Sequence, residues 1–356
     1  MDQDQAAMNV AVVGVGRMGK HHARTYHRLT EARLVAVVDA NLARAEEVAD
    51  EYGCEAIGSV DDLLARHPEV SAVSVAVPTA AHVEAAKPLL ERRIACLVEK
   101  PLAPTLDQAQ ALVDISRRCG ALLQVGHTER FNPAVRAVAG MDIVPRFIEV
   151  HRVSPMTFRS LDVGVVMDVM IHDLDIVLML ARSELVRVEA AGVAVLSEHE
   201  DIANARLTFA SGCVANLTAS RLALKTERKM RLFNETAYVS LDYHHRDGVI
   251  IRKSDNARAL EEVRAKVAQG ADLSDLDYSE LVMVDQLKMD LPPGEDDPLT
   301  AELRSFLRAA RTGGPPEVDA QAGYAAVDAA LRVTEAVRAH RWEGLEWSVG
   351  TGKVGR

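Results

Sequence analysis

Only four cysteines occur in 356 residues, Cys54, Cys96, Cys119 and Cys213, and no two of them form a CxxC pair. That scarcity argues against a disulfide framework or a cysteine-held metal cluster, so no metal is expected and a reducing compartment is the simpler reading. Positive charge is lacking as well. With 41 Lys and Arg against 52 Asp and Glu, the formal net charge is −11, and no basic surplus is left to neutralise nucleic-acid phosphates. A small anionic substrate is still compatible with a few local Arg and Lys side chains. No clean apolar span is present either. The longest apolar run, residues 163–181, carries Asp168, His172, Asp173 and Asp175, and ionisable groups at that density are costly in hydrocarbon. The opening residues Met1-Asp2-Gln3-Asp4-Gln5 lack the basic and apolar regions of a secretory signal. Internal repeats and low-complexity tracts are also missing. The expectation is a cytoplasmic protein with neither a nucleic-acid nor a membrane partner.

What is present is a globular mix, 48% hydrophobic and 26% charged, in a chain of 356 residues, long enough for about two domains. Residues 1–126 alternate short apolar runs (10–13, 34–38, 72–77, 95–98 and 121–125) with helix-like stretches (18–29, 41–51, 82–92 and 106–118). Near-continuous apolar strands between amphipathic helices predict a doubly wound parallel sheet covered on both faces. Residues 127–356 follow another rhythm. Strand-like segments succeed one another at 147–153, 185–196, 203–209, 214–220, 228–233 and 237–242, interrupted by an apolar helix over 165–181. This pattern predicts an α+β domain on a mainly antiparallel sheet. A charged stretch, 254–297, reads as an exposed excursion with a solvated helix at 257–269, and helices over 299–311 and 320–340 close the chain.

Gly14-Val15-Gly16-Arg17-Met18-Gly19 follows the first strand and opens the first helix. In such a GxGxxG, Gly14 permits the tight turn, Gly16 lets the backbone approach a pyrophosphate and Gly19 lets helix and strand pack closely. Asp39 ends the next strand, where a carboxylate accepts hydrogen bonds from the adenosine ribose. Followed by Ala40, with no basic pair nearby, it predicts NAD rather than NADP. The competing reading is a glycine-rich turn and an ordinary strand-end Asp.

Val98-Glu99-Lys100-Pro101 ends another strand of the same sheet, where doubly wound folds bind ligands. Lys100 there can donate to a substrate hydroxyl or share in proton transfer, with Pro101 keeping the backbone extended; a solvated charge is the plainer alternative. Asp168 and His172, spaced i, i+4, share a face of the apolar helix. A carboxylate that orients an imidazole makes a general base for an alcohol proton, against the alternative of a purely structural Asp–His pair.

Together with Pro78-Thr79-Ala80-Ala81-His82 and Gly126-His127-Thr128-Glu129-Arg130-Phe131-Asn132-Pro133, these motifs resemble the glucose-fructose oxidoreductase/inositol dehydrogenase (Gfo/Idh/MocA) family from about Met8 to the C-terminus. The resemblance implies a Rossmann domain, an α+β domain on an open, mainly antiparallel sheet, and hydride transfer between a nicotinamide and a sugar or polyol carbon. It makes Lys100, Asp168 and His172 the catalytic group. Pro78, Thr79, His82, Glu99 and Lys100 then line the nicotinamide and its ribose, and Arg130 and Asn132 lie near cofactor or substrate. The run Arg159-Ser160-Leu161-Asp162-Val163-Gly164-Val165-Val166-Met167-Asp168 departs from the glycine-rich stretch of many members. It looks like the branch that oxidises UDP-N-acetylglucosamine at the 3-hydroxyl, whose 3-keto product goes to an aminotransferase on the way to amide-linked lipid A. Arg159 and Arg130 are then candidates for diphosphate or sugar contacts.

The rivals are an inositol or free-sugar dehydrogenase of the same family, a non-catalytic NAD-binding regulator, and a purely structural interaction protein. Retention of Lys100, Asp168 and His172 argues against the last two. An open sheet face needs covering, so subunits are expected to pack sheet to sheet as a homodimer or homotetramer.

Overall fold

The computed structural model describes residues 6–141, 143–157, 163–253, 257–270, 282–287, 289 and 297–342. The strands are β1 (Met8–Val13), β2 (Ala32–Val38), β3 (Glu55–Ile57), β4 (Ala72–Val75), β5 (Ala95–Glu99), β6 (Leu123–Gly126), β7 (Phe147–Val153), β8 (Leu185–Val193), β9 (Ile202–Phe209), β10 (Val214–Ser220), β11 (Glu227–Phe233), β12 (Ala237–Asp242), β13 (Asp247–Lys253) and β14 (Val282–Gln286). The helices are α1 (Arg17–Arg28), α2 (Leu42–Tyr52), α3 (Val60–Arg66), α4 (His82–Glu91), α5 (Leu106–Cys119), α6 (Pro133–Ala139), α7 (Ile171–Ala181), α8 (Ala257–Ala268), α9 (Pro298–Thr312) and α10 (Ala320–Ala339). They form two compact units that are interleaved along the chain. The first is Met1–Asn132, Val166–Leu178 and Leu291–Glu335; the second is Pro133–Val165, Met179–Asp290 and Ala336–Arg356. The sequence boundary at 126/127 falls between the two sheets, yet two later segments pack with the first sheet.

In the first unit six parallel strands run in the order β3-β2-β1-β4-β5-β6. Alternate residues of β1 face opposite layers, as strand geometry requires. Val10 and Val12 join a core with Ala23 and Tyr26 of α1 and Phe306 of α9. Ala11 and Val13 join another with Leu89 of α4 and Leu112 of α5. Burial on both sides is why these strands read as continuous apolar runs. The helix stops are local: Asn41, Ser59 and Thr105 cap α2, α3 and α5 with side-chain oxygens, and Gly53 and Gly120 end α2 and α5 at positive φ. The exposed edge of β6 is covered by residues just before α10, with Val125 N donating to Val318 O at 3.0 Å.

The second unit holds eight strands in the order β14-β13-β12-β11-β7-β10-β9-β8, all antiparallel neighbours except β7 and β10. Residues of β9 alternate between exposed and buried, the period-two signature of a sheet with one dry face. The strand read over 185–196 stops at Val193, because Asp201 Oδ2 collects the amides of Val195, Leu196 and Ser197 into a turn. Part of the supposed excursion is strand: β14 adds antiparallel to β13.

The open face of the sheet carries apolar and polar rows side by side. Val214, Phe147, Phe233, Tyr238, Ile251 and Val284 stand opposite one another across six strands. The neighbouring row, Asn216, Glu149, Arg231 and Ser240, is polar. Among the described residues, no helix is long and apolar enough to cross a membrane.

Candidate active site

Gly14, Asp39, Pro78, Lys100 and His127 all follow the carboxyl ends of parallel strands, the edge where open α/β sheets bind ligands. Gly14 has φ +86°, and a Cβ there would lie 2.7 Å from Val77 N and 2.8 Å from Ala76 O. A Cβ on Gly19 would collide with the Gly14 carbonyl, whereas one on Gly16 would meet open space. The chain therefore turns tightly, packs α1 on β1, and leaves room at Gly16 for a phosphate. No side chain caps the N-terminus of α1, so its amides are available to an anion.

Asp39 is organised by the same turn. Its Oδ2 accepts the Val15 N–H at 3.0 Å and its Oδ1 the Asn41 N–H at 2.9 Å. No basic pair accompanies Asp39, but a single cation does: Arg44 Nη1 stands 3.5 Å from Asp39 Oδ2. The first turn of α2 brings it back across the four intervening positions.

At the end of β4, Thr79 begins a short 3₁₀ turn, and His82 follows it. The imidazole of His82 is buried, with Nε2 3.0 Å from Val77 O and Nδ1 3.2 Å from Leu102 O. Burial lowers its pKa, although these carbonyls oppose the shift. The ring braces the loops after β4 and β5 instead of facing an open cleft.

Lys100 lies directly after β5, and its peptide bond to Pro101 is cis. The Nζ donates to Asp168 O at 2.7 Å and to Asp168 Oδ1 at 3.5 Å. Two residues that the family resemblance placed in one catalytic group thus meet in space. Glu99 is turned the other way. It is buried, with Oε1 2.9 Å from His22 Nε2 and Oε2 accepting the Lys100 N–H at 3.3 Å.

The apolar helix does not run unbroken over 165–181. Val166–Met170 forms a π-helical turn, and α7 begins at Ile171. A turn that closes one residue later brings residues four apart more nearly into line, and such turns gather at functional sites. Asp168 sits in the middle of it and His172 just beyond, both half-buried.

Arg130 forms a buried bidentate ion pair. Its Nε and Nη2 donate to Asp175 Oδ2 and Oδ1 at 2.7 and 2.6 Å, and Asp175 is 1% exposed. Asn132 Nδ2 donates to Glu129 Oε2 at 3.2 Å. Arg159 lies outside the described residues.

His22, His127, Asp175 and Glu302 are among the buried groups that had no assigned role in the sequence. Neither ring nitrogen of His127 has a hydrogen-bond partner among the described residues, and Asp175 Oδ2 lies 3.9 Å from its Nδ1. Burial holds this imidazole below its usual value, with Asp175 pulling upward. Glu302 on α9 accepts from Thr128 Oγ1 at 2.7 Å; burial and the charge of Glu99 push its carboxyl well above the usual range. Asp175 follows His172 by three residues on the same helix, a spacing that could have flagged it. Glu302 carried no such signal, being 174 residues from Thr128.

Residues 8–127 match the model of an oxidoreductase family with an NAD-binding Rossmann fold, and residues 145–240 match the GFO/IDH/MocA C-terminal domain. The chain belongs to this family and is an NAD-dependent oxidoreductase acting on CH–OH groups. Among its relatives is the UDP-N-acetylglucosamine 3-dehydrogenase of Acidithiobacillus ferrooxidans, 36% identical over 93% of this chain and 98% of that one. A solved structure of that enzyme superposes with a TM-score of 0.81 at 34% identity, covering 94% of this chain and 99% of the other. An inositol 2-dehydrogenase of Rhizobium meliloti is 30% identical over 60% of this chain and 68% of its own length.

Proposed function

We propose that the chain oxidises the 3-hydroxyl of UDP-N-acetylglucosamine to a ketone, with NAD as hydride acceptor. The observation that carries this reading is the relative of that activity, which is matched along 93% of this chain and 98% of its own. The inositol dehydrogenase match, over 60% of this chain, supports an inositol or free-sugar dehydrogenase as the second reading.

The residues suit the chemistry. NAD supplies a carbon that accepts hydride; Gly14 to Gly19, with Asp39, Pro78 and Thr79, would hold it. His172 would take the hydroxyl proton onto its imidazole as the sugar carbon gives up its hydride. Asp168 favours the imidazolium so formed. The Lys100 ammonium, held 2.7 Å from Asp168 O, has further N–H groups to give the substrate oxygen as negative charge develops on it. Arg159 remains the candidate for the diphosphate, since Arg130 is bound to Asp175.

In this reading the enzyme works in the cytoplasm and hands its keto sugar to an aminotransferase, as lipid A or other amino-sugar synthesis requires. Subunits pair through the open sheet as a homodimer or homotetramer, and the apolar row from Val214 to Val284 is the surface that favours burial. NADH formation with UDP-N-acetylglucosamine, set against free hexoses and inositols, tests the substrate.

A further inference from the structure

His22 and Glu99 are buried, polar, and used by nothing in the mechanism above. His22 lies on α1, three positions beyond Gly19, with a side chain 0% exposed. Its Nε2 stands 2.9 Å from Glu99 Oε1, and the other oxygen of Glu99 accepts the Lys100 N–H at 3.3 Å. Lys100 Nζ continues the line to Asp168. A continuous set of polar contacts therefore runs from the helix that opens the dinucleotide site to the ammonium at the strand end, all within the first unit.

We propose that His22 and Glu99 are a positioning pair for Lys100, fixing its backbone and keeping a negative charge behind its ammonium. This rests on the reading that Lys100 acts at the substrate oxygen.

Two features of the surroundings bear on the pair. At Gly126 on the neighbouring strand, any Cβ would lie 3.0 Å from Glu99 Cα and 3.1 Å from Glu99 Oε2. Glycine therefore leaves the carboxylate the room it occupies. The environment also divides two buried carboxyls. Burial opposes ionisation of Glu99, but the hydrogen bond and charge of His22 and the charge of Lys100 outweigh it and hold Glu99 low. Glu302 is pushed up by burial and by Glu99 itself. Of the two, it is the one touching Lys100 whose ionised form the surroundings favour.

A strut between α1 and β5 would hold with any group that fills the space; a positioning pair acts through Lys100. The test is a double-mutant cycle read as kcat with the sugar substrate, alongside KM for NAD. Glu99→Gln keeps acceptor oxygen and volume but removes the charge. It is expected to lower kcat about tenfold in the wild-type background and less than about twofold in Lys100→Ala, with KM for NAD within about twofold in both. His22→Gln, which retains an N–H for Glu99, should keep kcat within about threefold of wild type, whereas His22→Leu should lose about as much as Glu99→Gln. Equal losses in both backgrounds, or an unchanged kcat in Glu99→Gln, overturn the pair's role while leaving Lys100 in place. A near-normal kcat in Lys100→Ala alone overturns the Lys100 reading, and the pair's role with it.

Discussion

Asp168 and Asp175 stand on one helical stretch and each meets a cation, but the two partnerships differ. Arg130 grips Asp175 with two bonds of 2.6 and 2.7 Å, and the carboxylate is 1% exposed. Lys100 reaches Asp168 Oδ1 only at 3.5 Å, and there the carboxylate is 32% exposed. A bidentate, desolvated pair has one geometry and strongly resists losing a partner. A longer, half-open pair leaves both groups with hydrogen-bonding capacity for something else. The helix thus carries a brace and a working site within two turns, and ion pairing alone does not distinguish them.

The largest effect should come from the brace. Arg130→Ala leaves Asp175 buried without its cation, and unfolding in denaturant should show a loss of about 3–5 kcal/mol. If Asp168→Asn destabilises the chain as much, the distinction between the two pairs fails.

Next is His172, which should separate chemistry from folding. His172→Ala is expected to cut kcat about a hundredfold or more while the dissociation constant for NAD stays within about twofold. A correctly folded variant with near-normal kcat would move the base role to Lys100 and return Asp168 and His172 to a structural pair. Asp168→Asn should lower kcat about tenfold and leave stability within about 1 kcal/mol, as expected of a partly exposed ion pair.

Cofactor choice is a further point of comparison, because Asp39 also has a cation beside it. Fluorescence titration should show NAD bound about tenfold or more tightly than NADP, roughly 1.4 kcal/mol, with Asp39→Ser and Ala40→Arg together shifting preference towards NADP. Equal affinities in the wild type would mean that Arg44 has cancelled the carboxylate.

A further effect concerns another buried carboxylate, Asp201, in the second unit. Burial opposes ionisation of Asp201, but the amides of Leu196 and Val195, Arg221 and Ser197 outweigh it and hold the carboxyl well below the usual range. A depressed native pKa contributes stability that is complete above the unfolded value of about 3.9 and lost as pH falls below it. In an acid titration of unfolding, Asp201→Asn should flatten that part of the curve; an unchanged acid slope would deny Asp201 the role.

The same contrast explains what the sequence could reveal. Val10 to Val13 and Ala95 to Val98 were readable because burial on both faces writes itself as an apolar run. Gly14 and Gly19 were readable because the close backbone there leaves no room for a Cβ, and Gly16 by its place between them in the motif. The three residues of β3 were too short to register, and β14 lay inside a charged stretch that reads as loop. At the site, Lys100, Asp168 and His172 stood out as polar groups in apolar surroundings. The use of Arg130 did not, since a contact to Asp175 across 45 positions leaves no local pattern. Glu99 was assigned to the cofactor through the family resemblance; that its carboxylate faces His22, 77 residues away, left no local pattern.

Substrate oxidation itself is the most direct test. Purified enzyme with NAD should form NADH with UDP-N-acetylglucosamine and yield the 3-keto nucleotide sugar, with kcat/KM at least about a hundredfold above that for inositols or free hexoses, a difference of roughly 2.7 kcal/mol in transition-state binding. Turnover of an inositol or free hexose with none of UDP-N-acetylglucosamine would contradict the account and assign the site to the other branch of the family.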